Sequence, residues 1–369
     1  MAGCQVDGGL LTLAVCAAQG RGMETPLGGD EFAPAQTYLD TSRCGLLPRR
    51  TVAAVTALAE GIAAGTAGGS GSFEAVDGAR RGFGRVVGVG PDRVAVGGSV
   101  AVHVGLVANS LPAGTEVLFV DGDFGSLITP FTVRGDLKAR FVPLEDLADA
   151  VRPGTALVAF SAVQSADGRV ADLAAVREAA AAHGARTLVD ASQAAGWLPL
   201  DAGAYDYTVT GAFKFLMCPR GASFLTVTEE AQESLAPIHA GWFAADDLRD
   251  PYGPAARLAD TARRFDEPPA FLSYHGAEQS LALLGEIGVD AVHAHDTALA
   301  ARFRDGLVRL GHQPVPGESA IVAVPGLGGR QPELAAAGVA VSARAGNLRA
   351  AFHLYNSAAD VDRALDVLS

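Results

Sequence analysis

The sequence predicts an α/β protein built around a mostly parallel sheet. Short apolar runs recur and stop at acidic or glycine residues, as buried parallel strands do where they end at a ligand crevice. Residues 116–120 stop at Asp121, 187–189 at Asp190 and 207–210 at Gly211. Helix-forming stretches alternate with these runs, the pattern of strand–helix–strand units. The order strand, helix, strand from residue 156 to residue 190 gives a right-handed crossover, and so parallel neighbours.

Bulk properties narrow the function classes. A chain of 369 residues, 49% hydrophobic and 19% charged, accommodates a large globular domain and a smaller one. Its net charge of -13, with no basic cluster, argues against nucleic acid or an anionic membrane as partner. Cys4, Cys16, Cys44 and Cys218 are scattered without a CxxC pair, so neither a disulfide framework nor a metal site is expected, and a reducing cytoplasm is the expected compartment. Residues 9–18 are apolar enough for a signal-peptide core, but no basic residue precedes them. Residues 1–22 are therefore expected to be a disordered extension or the product of a start site set too far upstream. No run reaches the roughly 20 apolar residues of a transmembrane helix.

Along the chain, residues 51–61 have a helical pattern and the Gly/Ser-rich stretch 65–72 reads as a loop, either a plain connection or a lid. Residues 93–96 form a strand, Gly97-Gly98-Ser99 a turn, and 100–111 an apolar helix. Free N–H groups at a helix start hold anions, and glycines let an anion approach closely, so Ser99 and the amides of Val100 and Ala101 are anion-binding candidates. A plain turn is the alternative. Strands are expected at 138–142 and 156–160, separated by a helix over 144–151; Asp172 caps a helix over 173–183, which Gly184 closes. Beyond residue 236, a helix over 291–310 shows an apolar stripe with one gap at Asp296, strands fall at 320–324 and 338–342, and a helix over 360–368 ends the chain. His293 and His295, two apart on a helix, face different directions and are expected to be solvated.

The chemistry concentrates in residues 187–221. Asp190 ends a buried strand. Lys214 follows another, flanked by Phe213, Phe215 and Leu216. A lysine among apolar neighbours loses part of its preference for charge and becomes a nucleophile; a snorkelling surface lysine is the alternative.

Three blocks, VDASQAAGWLPLD at 189–201, TGAFKFLMCPRG at 210–221 and LRAAFHLYNSAADVD at 348–362, resemble the class V aminotransferase family of fold type I pyridoxal-phosphate enzymes. That family also holds cysteine desulfurases, kynureninase, isopenicillin N epimerase-like proteins and carbon–sulfur lyases. The resemblance extends more weakly from residue 37 to the C-terminus. It implies a large domain over 23–235, with a mostly parallel seven-stranded sheet between helices, and a small C-terminal α+β domain over 236–369.

It also implies pyridoxal 5'-phosphate as cofactor, Schiff-base linked to Lys214, with Asp190 facing the pyridinium nitrogen and Gln193 near the phenolic oxygen. Phe124 would stack on the ring, its alternative being an ordinary core residue. Gln164 or Ser165, in a loop resembling one that approaches cofactor or substrate, would do the same here. Trp242 lies in a segment that reaches the partner's active site in family homodimers, or is an interface aromatic. Arg349 would fork onto the carboxylate of a small amino-acid-like substrate, and Arg344 onto a more distal group.

The chain departs from the family pattern at three places. Phe213 stands where the family usually has a phosphate-binding histidine, which moves the phosphate load to Ser99, Thr210 and the neighbouring subunit. Ala162 replaces a second histidine. Residues 338–344 hold no cysteine, which disfavours desulfuration through a persulfide. Aminotransfer is the expected reaction. The alternatives are carbon–sulfur β-elimination, a decarboxylating or epimerising reaction, and a non-catalytic use of the fold.

Overall fold

The computed structural model of the chain describes residues 23–67, 73–249 and 251–369. The expectation for residues 1–22, and most of that for the 65–72 loop, lies outside the described residues. In chain order the first elements are β1 (Thr37–Tyr38), α1 (Arg49–Ala63), α2 (Phe73–Val87), β2 (Val94–Gly97), α3 (Val100–Ser110), β3 (Glu116–Val120) and α4 (Gly125–Thr132). Next come β4 (Lys138–Val142), β5 (Thr155–Ser161), α5 (Leu173–His183), β6 (Arg186–Asp190), β7 (Tyr207–Gly211) and β8 (Ser223–Val227). The main sheet has seven strands in the order β2-β8-β7-β6-β5-β3-β4. Strands β3 to β7 pair in parallel, and β8 runs antiparallel between β7 and β2.

The apolar runs of the sequence are continuous because both faces of this sheet are covered. Leu118 and Val120 of β3 enter one hydrophobic layer, Val117 and Phe119 the other. In the strand registers Ser161 lies opposite Asp190, and Asp190 opposite Val209. The polar ends of β5 and β6 therefore meet at the carboxyl edge of the sheet, where α/β folds bind ligands.

The chain continues through α6 (Phe271–Ile287), α7 (Val289–Arg309), β9 (Ile321–Val324), β10 (Val339–Ala340), β11 (Ser342–Arg344), β12 (Asn347–Ala351) and α8 (Ala358–Leu368). Strands β11, β12 and β9 form an antiparallel sheet, and Val339–Ala340 pairs in parallel with Thr37–Tyr38 at the other end of the chain. Helix α6, on the C-terminal side of the expected boundary at residue 236, places Tyr274, Leu281 and Leu284 in the core beneath the main sheet. Among the described residues no helix is long and apolar enough to cross a membrane.

Several elements differ from expectation: helices α4 and α6 and strand β12 are unanticipated, and two further cases have a clear physical reason. Residues 144–151 hold only a 3-10 turn, Leu144–Asp146, because Pro143 precedes it and Pro153-Gly154 follow closely, leaving too few residues for a stable helix. Helix α2 has no counterpart in the sequence reading, since three of its residues are glycines. Their absence of side chains is used in packing: a Cβ on Gly82 would stand 2.9 Å from Leu281 Cβ, so α2 and α6 approach through it.

A buried ion pair joins helix α2 to the segment before α6 and to the sheet edge. Arg80 of α2 meets Asp266 with Nη2–Oδ2 at 2.6 Å and Nη1–Oδ1 at 3.2 Å, and Asp266 also accepts the Val96 N–H at 2.8 Å. Removing one partner of a buried pair leaves an uncompensated charge, so Arg80→Met is expected to cost about 3–5 kcal/mol in chemical denaturation. Adding Asp266→Asn should recover part of it, because the amide keeps an acceptor for Val96 without the charge. A cost below about 1 kcal/mol for the single variant contradicts this account.

Candidate active site

Strands β7 and β8 are joined by a loop that folds onto itself. Ala212 N–H donates to Ala222 O at 3.1 Å, Cys218 N–H to Ala212 O at 3.0 Å and Met217 N–H to Lys214 O at 3.0 Å. Met217 takes a φ of 54°, in the left-handed region that non-glycine residues seldom enter. The N-terminal segment crosses this loop so closely that a Cβ on Gly45 would lie 2.0 Å from Lys214 O. Lys214 is thus carried on backbone fixed from two sides.

The Lys214 side chain is buried, with Nζ 5.3 Å from the Phe124 ring centroid and 5.9 Å from that of Phe213. It lines a cavity of about 270 Å³ together with Asp190, Phe124, Ser99, Val100 and Arg220. Burial pushes the Lys214 ammonium down to about 8; the Asp190 charge opposes the drop, and Arg349 and Arg220 add to it. Burial likewise pushes the Asp190 carboxyl up, against Lys214 and the Ser192 N–H, which donates to Asp190 Oδ1 at 2.8 Å. Both shifts have one leading cause, a low-dielectric setting that disfavours each charge, and each charge opposes the other's shift.

Phe124 is 47% exposed and faces this cavity, so it is not an ordinary core residue. Asp123 sets it: its carboxylate accepts the Phe124 N–H at 2.6 Å, Ser161 N–H at 2.8 Å and Gln164 Nε2 at 3.2 Å. Gln164 therefore serves Asp123 rather than the cavity.

A second group of residues is linked by hydrogen bonds. Gln193 Nε2 donates to Ser165 Oγ and Ser42 O, both at 2.9 Å, while its Oε1 is buried without a partner. Arg349 donates to Ser165 O, to Ser165 Oγ at 3.3 Å and to Ser342 Oγ at 3.2 Å, and lies 3.9 Å from Asp40. Burial pushes Arg349 down to about 10, with Asp40 opposing.

The remaining expected site residues are placed apart from the cavity. Thr210 is buried in β7 with Oγ1 unpartnered, and Gly211 beside it lines the cavity instead. Ala101 is exposed on the first turn of α3. Trp242 packs on Phe73 at 5.8 Å and Phe243 at 5.4 Å. Arg344 is exposed, and its side chain donates to the adjacent Ala343 O.

His295 corrects the expectation of solvated histidines. It is buried, with Nδ1 2.9 Å from Asp296 Oδ1, while His293 stacks on Trp197. Asp296, the gap in the apolar stripe, reaches His353 Nδ1 through Oδ2 at 2.8 Å, and His353 Nε2 reaches Phe215 O, next to Lys214, at 2.9 Å. Sequence reasoning also passed over Arg220, whose guanidinium carbon lies 4.0 Å from the Phe213 ring centroid.

Comparison with known proteins places this geometry. The family model described as Aminotransferase class-V matches residues 127–325, more than half of the chain. The chain is similar to the uncharacterized aminotransferase YcbU of Bacillus subtilis, at 29% identity over 318 residues, covering 81% of this chain and 84% of that protein. It is similar to the isopenicillin N epimerase of Amycolatopsis lactamdurans at 30% identity, over 62% of this chain and 63% of the other. Among solved structures, the cystine C-S lyase C-DES, in complex with its product cysteine persulfide, superposes with a TM-score of 0.80 at 22% identity, over 90% of this chain and 97% of that one. A variant of that lyase holds glycine covalently linked to its pyridoxal-phosphate cofactor. The chain belongs to the aminotransferase class-V family, with the fold of the fold type I enzymes and pyridoxal phosphate as its cofactor.

Proposed function

We propose that this enzyme acts on the α-amino group of a small amino-acid-like substrate, as an aminotransferase. The observation that carries the reading is Lys214: a buried amine of lowered basicity, opposite a buried carboxylate, in one cavity. The residues present fit the cofactor. Asp190 ends its strand at the cavity and suits a protonated ring nitrogen, Phe124 offers a ring face, and Gln193 Oε1 is a buried acceptor awaiting a donor. When bound, pyridoxal phosphate supplies an electron sink for the substrate's α-carbon.

The chain's own residues do the rest. Asp190 would hold a proton on the cofactor's ring nitrogen. Neutral Lys214 Nζ would hold and move the proton of the substrate's α-carbon, as a base poised near neutral pH should. Arg349, linked through Ser165 to Gln193, orients the substrate carboxylate. Trp242 and exposed Phe73 would lie at a homodimer interface, and a cytoplasmic setting suits the free thiols. β-Elimination on a cysteine conjugate is the competing outcome for the same groups.

Four results test the reading. Capture of the cofactor by Lys214, made permanent with borohydride and read by absorbance, is expected to accelerate with pH and level off above about 8; a rate still climbing to about 10.4, the ordinary lysine value, contradicts the burial argument. Lys214→Ala should show no such fixation, and fixation that survives there sinks the assignment. Arg349→Lys keeps charge but loses the fork, so KM for carboxylated substrates should rise about tenfold, the effect of one charge-assisted bond of about 1.5 kcal/mol. With a panel of amino acids and cysteine conjugates, conversion of the cofactor to its amine form supports aminotransfer, whereas pyruvate with free thiol supports elimination.

A further inference from the structure

We propose that Arg220 is the cation that seats the phosphate group of the cofactor in this chain, an inference resting on the reading of Lys214 and Asp190 above. The need for a cation is physical. The phosphate end of the cavity is the start of α3, where Ser99 is the N-cap residue and its side chain makes no capping bond. The Gly98 N–H is already taken by Glu267 Oε2 at 2.8 Å. A phosphate arriving there meets a carboxylate, and like charges must be offset by an opposite one nearby. The position before Lys214 is Phe213, which has no hydrogen-bonding group.

Arg220 meets the requirement. Its side chain lines the same cavity as Ser99, Phe213 and Lys214. The guanidinium lies 4.0 Å from the Phe213 ring centroid, a cation–π placement that holds the fork while leaving its N–H edge free. No carboxylate among the described residues pairs with it, unlike Arg50, Arg80 and Arg152. Its backbone is fixed, since Ser273 Oγ donates to Arg220 O at 2.6 Å. Phe213 thus acts as a shelf for the cation instead of a ligand. The same positive charge adds to the lowering of the Lys214 ammonium, so one residue serves both ends of the cofactor.

The test compares pyridoxal phosphate with pyridoxal, which has the aldehyde and ring but no phosphate. Equilibrium binding of each is measured by absorbance for the wild type, Arg220→Ala and Arg220→Lys, with folding checked by thermal denaturation. In Arg220→Ala the Kd for pyridoxal phosphate should rise at least tenfold while that for pyridoxal stays within twofold. Arg220→Lys should recover part of the loss, and Phe213→Leu, which removes the shelf, should reproduce part of it. Equal weakening of both aldehydes, or an unchanged Kd for pyridoxal phosphate, overturns the proposal. A wild type that binds both equally refutes the phosphate seat alone, whereas one that captures neither refutes the Lys214 reading as well. Should Arg220→Ala prove unstable, Arg220→Gln gives the same comparison with the side-chain volume kept.

Discussion

The molecule is organised around one costly placement, a lysine amine buried opposite a buried carboxylate. An isolated charge in that setting is strongly disfavoured, and each of Lys214 and Asp190 offsets part of the cost that burial puts on the other. The arrangement holds only if neither group can retreat to solvent. For Asp190 that is ensured by its position at the end of a central strand, paired on both sides. For Lys214 it falls to a loop whose turn needs a left-handed methionine and whose carbonyl touches Gly45.

The C-terminal segment reinforces that loop. His353 faces two acceptors, the Asp296 carboxylate through Nδ1 and the Phe215 carbonyl through Nε2. A carbonyl can only accept, so Nε2 carries a hydrogen and the ring is fixed from both ends. Asn356 extends the brace, accepting the His353 N–H at 2.9 Å and donating to Tyr38 O at 2.9 Å. The strand holding Arg349 leads directly into this brace, and Asp40 of the N-terminal segment bridges Ala351 at its end. The segments around residues 38–45 and 349–356 are thereby tied to the loop that bears the lysine.

What could be read from the sequence divides along physical lines. Asp190 and Lys214 stand out because an acid and a lysine follow recognisable apolar strands, whereas Arg349, in the middle of β12, is picked out only by the family resemblance. The main sheet was legible for the same reason, its strands being continuous apolar runs. Helix α2 was not, since its glycines matter only for how closely α6 approaches. Asp296 looked like a flaw in an apolar stripe until His353, 57 residues away, came to meet it. Phe124 could be core or cavity lining, and only tertiary contacts decide. Arg220 carries no sequence signal either, because its meaning comes from the Phe213 ring beneath it and from the Glu267 carboxylate held on Gly98 of the same cavity. Residues whose function is local in sequence are legible there, and residues whose function is a meeting across the fold are not.

That distinction also bears on the choice of reaction. The likeness to the cystine lyase, at 22% identity, is a likeness of frame. A desulfurase-type route, in which the protein itself carries the persulfide, needs an accessible thiolate, and the described cysteines do not supply one within the lysine's cavity. Cys218 is buried behind the lysine loop with its thiol pushed up by burial, and Cys44 does not line the cavity. The proton-handling group that does face the cavity is Lys214, flanked by two aromatic rings and lowered toward neutrality. A single base that can both remove and return a proton is what aminotransfer requires, and it is the base that β-elimination would use as well, so the choice between them falls to the groups that surround the substrate.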